Sequence, residues 1–214
     1  MTGAVLKSPG FLAALEAVYS AFAAPTPRVI EGCPCCIGTR RVDVLLTRPL
    51  RELTGQDLWR YASGVFLTVG SDRDFTYLLP RILELAVIDP GALPDTEIIL
   101  GKFALADQTG WSKAQREAVA LLIDDWFNLA LERDLRGADD WLVSSEAEGV
   151  LCGAARGGFD VSPFLGKLAE PRAELVRDYL AGTYARPLAK DTVPNGFWED
   201  APDRWRELAA VIRG

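Results

Sequence analysis

The sequence predicts an all-α fold of about eight helices, packed as an irregular bundle or as a HEAT-like stack of helix pairs. Three observations point there. Apolar residues recur at three- and four-residue spacing along most of the chain. Serine, threonine and proline sit where helices should start, and glycine where several should stop. No segment alternates apolar and polar residues over the length of a strand. The chain has 214 residues, and no linker is long or polar enough to mark a boundary. Residues 1–214 therefore read as a single helical domain with an irregular cysteine-containing loop near 25–47.

The elements follow in order. Ser8-Pro9 is an N-cap followed by proline at the first helical position. The helix it opens places Phe11, Leu12, Leu15, Val18, Tyr19 and Phe22 on one face, and Pro25 and Pro27 close it. RVDVLLT, just after the cysteines, fits a short strand or the start of the next helix. Thr54 with Asp57 forms a capping box with aspartate in place of glutamate, opening a helix through about Thr68 that Gly70 ends. Ser71 with Asp74 opens a third helix, in which Pro80 should kink or split the chain. Thr96 to Ala106 is a weaker fourth. Ser112 with Gln115 is a cleaner capping box ahead of the longest helix, which Gly137 ends. Residues 138–156 form another helix, Ser162-Pro163 starts the next, Pro171 restarts it towards Tyr184, and Pro202 starts the last.

Composition bounds the function. A net charge of −7 and the lack of a lysine/arginine cluster count against nucleic acid. An acidic surface suits a basic partner. The run FLAALEAVYSAFAAP imitates a signal peptide, but Glu16 interrupts it and its apolar residues share one helical face. It reads as a cytoplasmic helix, and no segment is long and apolar enough to span a bilayer.

Three of the four cysteines fall in IEGCPCCIGTRR, and the chain has no histidine. Cys33 and Cys36 make a C-x-x-C with Cys35 between them, and Cys152 lies far off in EGVLCGAARGG. Structural zinc needs four ligands. Here it would draw on Cys33, Cys36 (or Cys35), Cys152 and a carboxylate, which makes half a site at most. Redox chemistry needs a thiolate of lowered pKa at a helix N-terminus, and the proline beside Cys33 does not mark one. Reduced cysteines in a turn explain the run more simply, and Cys152 sits on an apolar helical face. No cofactor is called for, with zinc the only candidate. The missing histidine removes Ser-His-Asp and Cys-His nucleophile activation. The doublets Asp124-Asp125 and Asp139-Asp140, and Glu146 with Glu148, read as solvated helix faces, because neighbours on a helix point apart. Of the six tryptophans, Trp198 stands out. It follows Phe197 in PNGFWEDAP, a polar, proline-bracketed loop where an exposed aromatic pair would form a partner-binding edge.

The run PLRELTGQDLWRYASGVFLTVGSDRDFTYLLPRILEL, with the later WSKAQREAVALLIDDWFNLALE, resembles an uncharacterised family of bacterial all-helical proteins. These carry a cysteine motif, a PLREL-like start, a T-x-G-S turn and an LPRILEL-like run. The resemblance covers about half of the chain. It implies no established activity and transfers no functional residue. The family's cysteine segment pairs C-x-x-C with a nearby histidine, and this chain departs from that pattern.

The sequence therefore points to a non-enzymatic, cytoplasmic protein-binding module. Its concrete form would be an immunity protein that neutralises a basic bacterial toxin. The alternative is a zinc- or thiol-dependent protein built on Cys33, Cys35 and Cys36. The sequence carries no signal for the oligomeric state.

Overall fold

A computed structural model describes residues 8–33, 44–139 and 145–214. Among these residues the fold is all-helical, with no strand and only isolated bridges at Gly32–Val69 and Val65–Val69. Among the described residues twelve α-helices are present where about eight were expected. The excess comes from short pieces: Val44–Thr47, Thr96–Gly101, Ala185–Lys190 and Gly196–Glu199 have four to six residues each. Proline and glycine cut the chain more finely than hydrophobic spacing reveals.

The chain divides into two compact units, Met1–Leu122 and Ile123–Gly214. No linker marks this boundary, because it falls inside a continuous helix.

In the first unit, α1 (Pro9–Ala21) is capped by the Ser8 side chain, as its sequence requires. Phe11, Leu15, Val18 and Phe22 are buried along its inner face, so the signal-like run is a core helix. α2 (Val44–Thr47) is a single turn, which settles the helical alternative for VLLT, and a 3₁₀ turn follows at Leu50–Glu52. α3 (Gly55–Gly64) begins at the Thr54/Asp57 box, with the Thr54 N–H donating to Asp57 at 2.9 Å and the Asp57 N–H to Thr54 Oγ1 at 3.2 Å. It ends at Gly64 rather than near Thr68. The chain turns there through Phe66, whose φ of 63° is left-handed.

α4 (Asp72–Ile88) packs against α1, α3, the 3₁₀ turn and α5 (Thr96–Gly101). It runs unbroken through Pro80. The expected split does not occur, because buried residues on both sides, from Phe75 to Val87, hold the two halves in one core. An aromatic chain forms that core. Phe22 meets Trp111 edge-on with ring centres 5.0 Å apart, Trp111 meets Phe103 at 5.9 Å, Phe103 meets Phe75 at 5.8 Å, and Phe75 meets Phe66 at 5.0 Å.

α6 (Lys113–Asp139) opens at the predicted box, in which the Ser112 N–H donates to Gln115 at 2.8 Å and the Gln115 N–H to Ser112 Oγ at 3.1 Å. It gives Ala118, Val119 and Leu122 to the first core. Ile123, Trp126, Phe127, Ala130 and Leu131 belong to the second unit and are buried there. The second unit continues with α7 (Glu146–Arg156), α8 (Ser162–Ala169), α9 (Glu174–Thr183), α10 (Ala185–Lys190), α11 (Gly196–Glu199) and α12 (Pro202–Arg213). α12 packs on α8, α9 and α11, and α7 packs on α11. α7 starts at Glu146 rather than near 138, because Asp134, fully buried on α6, accepts the Glu146 and Ala147 N–H groups at 3.1 and 2.9 Å and caps it there. Among the described residues no helix is long and apolar enough to cross a membrane.

Candidate functional site

A cleft of about 480 Å³ opens in the first unit between the end of α1, the segment that follows it, the 3₁₀ turn and the middle of α4. Its apolar lining includes Phe22, Ala23, Leu50 and the two prolines Pro49 and Pro80. Pro80 has no N–H to give to the carbonyl of Thr76 one turn back, so the helix presents this face with one internal bond fewer.

The polar lining is organised. The Arg51 guanidinium lies over the Tyr19 ring, 3.6 Å from its centre, and donates to both oxygens of Glu16 at 2.9 and 2.8 Å. The Tyr19 hydroxyl donates to Glu84 Oε2 at 2.6 Å, and the same oxygen receives Arg81 at 2.7 Å. Arg81 also donates Nε to the Leu53 carbonyl at 2.8 Å, tying α4 to the end of the 3₁₀ turn. Burial, then the bond to Glu84, hold the Tyr19 hydroxyl well above the usual phenol range. In the same lining, Thr26 Oγ1 and Tyr77 OH lie 3.1 Å apart. One hydroxyl donates to the other, which leaves one hydrogen and several lone pairs for an occupant. Of these charged groups Arg51 lines the cleft, while Glu16, Arg81 and Glu84 lie behind the lining, and the two arginines and two glutamates cancel in pairs beside an apolar cleft that carries hydroxyls.

Sequence reasoning missed this site. Its residues come from three elements far apart in the chain and share no local spacing. The only cue was Tyr19 beside the buried face of α1, and that reads equally well as core.

The predicted partner edge is half corrected. Trp198 is fully buried. Its indole N–H donates to Glu148 Oε1 at 2.6 Å, and its ring leans on Trp205 with centres 5.5 Å apart. It turned inward because Asn195 caps α11, accepting the Phe197 and Trp198 N–H groups at 3.0 and 3.3 Å and winding the loop into a helical turn. Phe197 stays half-exposed and lines a second hollow of about 400 Å³ in the second unit, with Arg156, Asn195 and Gly196. The Arg156 guanidinium sits 5.2 Å from the Phe197 ring centre and is bonded to Asp200 at 2.7 Å.

Of the cysteines, Cys33 is exposed in the first unit, and its N–H donates to the Thr68 carbonyl at 3.2 Å. Cys152 is buried in α7 of the second unit. Cys35 and Cys36 lie outside the described residues. Among the described residues no three His, Cys, Asp or Glu side chains are grouped to hold a metal ion.

The acidic groups singled out earlier are less solvated than expected. Asp124 takes Lys167 at 2.6 Å and Asn128 at 3.1 Å. Burial, then the neighbouring Asp124 charge, push the Asp125 carboxyl up. Glu146 pairs with Arg133 at 2.8 Å, and Glu148 is buried. Asp140 lies outside the described residues.

No family model, no curated protein and no solved structure matches the chain.

Proposed function

We propose that this chain is a protein-binding module, and that its concrete form is an immunity protein which masks a basic bacterial toxin in the cytoplasm. The observation that carries the reading is the distribution of charge. The net charge is −7, and the buried charged residues are three acids and one lysine among those described. Most of the acidic excess is therefore carried outside the core. The buried groups serve the fold. Asp134 caps α7, Glu148 receives the Trp198 indole, and Lys102 donates to the Ser63 and Val65 carbonyls at 3.1 and 3.2 Å, at the C-terminal end of α3. A net acidic exterior supports steering of a cationic partner, which raises the association rate more than the final affinity.

The test is co-expression with the product of the adjacent gene, followed by association kinetics on the purified pair. The expected result is rescue of growth, with an on-rate that falls roughly tenfold or more from low to physiological salt. Failure to rescue, together with no measurable association, overturns the proposal.

A further inference from the structure

We infer that the cleft of the first unit is the pocket for one uncharged aromatic side chain of the partner protein, a tryptophan or tyrosine stacked on Arg51. This rests on the protein-binding reading and names the anchor through which that binding occurs.

The guanidinium of Arg51 is already fixed, with one face on the Tyr19 ring and its edge forked onto Glu16. Its side chain is still 50% exposed, and it lines the cleft. A planar cation held this way offers its second face at little entropic cost, and an aromatic ring is its natural partner.

The charge balance selects further. Arg51 is matched by Glu16 and Arg81 by Glu84. A charged side chain entering the cleft would lose water and gain no counter-ion, whereas a neutral ring loses little. The Thr26–Tyr77 hydroxyl pair can accept from an indole N–H or phenol O–H, or donate to the adjoining peptide carbonyl. The volume of about 480 Å³ suits one large side chain with its flanking backbone. An aromatic anchor in a small pocket, ringed by charges that steer but contribute little affinity, is the usual layout of a binding hot spot.

The experiment maps backbone amide shifts of the full, isotope-labelled chain on titration with N-acetyl-tryptophanamide, with N-acetyl-lysinamide as the charged comparison. The expected result is saturable shifts confined to residues 19–26, 49–51 and 76–81, with a Kd on the order of 1 mM. The lysine amide should cause none. Arg51→Ala and Arg51→Lys should each weaken the tryptophan amide about fivefold, since lysine keeps the charge but has no flat face. Thermal midpoints of both variants, read beside the titrations, confirm that they are folded. If one fails to fold, the other and the wild-type shift map decide. No saturable shift in this cleft, equal binding of the lysine amide, or undiminished binding by Arg51→Lys each overturns the inference. A silent cleft in a chain that still associates with its basic partner would sink the pocket alone. Loss of both would sink the reading beneath it.

Discussion

Asp74 is the residue on which the start of the cysteine segment depends. It is buried at the N-terminus of α4, where one carboxylate oxygen receives the Ser71 N–H at 3.0 Å and the Glu31 N–H at 3.1 Å. The Gly70 N–H completes the clamp by donating to the Glu31 carbonyl at 2.6 Å. The second oxygen of Asp74 has no hydrogen-bond partner, and neither has the nearby Tyr61 hydroxyl. Burial pushes the Asp74 carboxyl above its ordinary value, and the two N–H donors only partly offset it. A carboxyl whose folded pKa is raised stabilises the fold most when protonated in both states. That advantage shrinks as pH rises from the unfolded value, near ~3.9, through the folded one. Asp74→Asn removes the titration and keeps an acceptor for the two N–H groups. The stability of wild type relative to Asp74→Asn should therefore fall as pH is raised from about 4 towards neutrality. Urea unfolding of both chains across that range measures it, and a difference that stays flat or grows with pH would refute the assignment.

The same scale shows what a sequence can carry. Caps are local: Ser8, Thr54 with Asp57, and Ser112 with Gln115 name their partners within three residues, and each works as read. Trp198 is different. Asn195 winds its turn locally, but the partner of its buried indole, Glu148, is fifty residues away, and no short-range pattern could have announced that pairing. Arg51, Tyr19 and Tyr77 meet in the cleft for an equally non-local reason.

At the level of the element, two glycines make opposite predictions. Gly55 opens α3 where that helix crosses the turn at Ala92. A Cβ placed on it would stand 2.5 Å from the Ala92 carbonyl oxygen and 2.6 Å from the Ala92 Cβ. Backbone cannot yield cheaply, so Gly55→Ala should cost about 1–3 kcal/mol despite alanine's better helix propensity. Gly166 lies inside α8, exposed, with nothing within 4 Å of its would-be Cβ. There propensity acts alone, and Gly166→Ala should stabilise by roughly 0.5–1 kcal/mol. Denaturant midpoints of the two variants should move in opposite directions, and a shared direction would contradict the packing at α3. Element boundaries follow the same logic. Helix starts that carry their own cap were legible, whereas the end of α6 was not, since the helix runs past Gly137 to Asp139. α3 was not, because it stops at Gly64, six residues before the Gly70 that seemed to end it, when Phe66 takes a left-handed turn whose ring packs on Phe75. α4 was not either, since tertiary burial carries it through Pro80.

Over the whole molecule, the fold class was legible and the division into two units was not, because the boundary at Leu122/Ile123 lies in the middle of α6. Buried apolar residues recur at three- and four-residue spacing on both sides, and a helix that serves two cores looks like a helix that serves one. The arrangement has a mechanical consequence. Helix formation is cooperative along α6, so loss of one half weakens the other while the helix is continuous. Leu121 sits next to the boundary, is 60% exposed and contributes little to either core. Leu121→Ala should therefore leave a single unfolding transition near the wild-type midpoint. Leu121→Pro removes the N–H that bonds the Glu117 carbonyl and breaks α6 at a cost of about 3 kcal/mol. It should lower the midpoint and separate the two units into distinct transitions, resolved by calorimetry or by tryptophan fluorescence against helical circular dichroism. A single, merely weakened transition in Leu121→Pro would mean that contacts other than the shared helix make the chain cooperative.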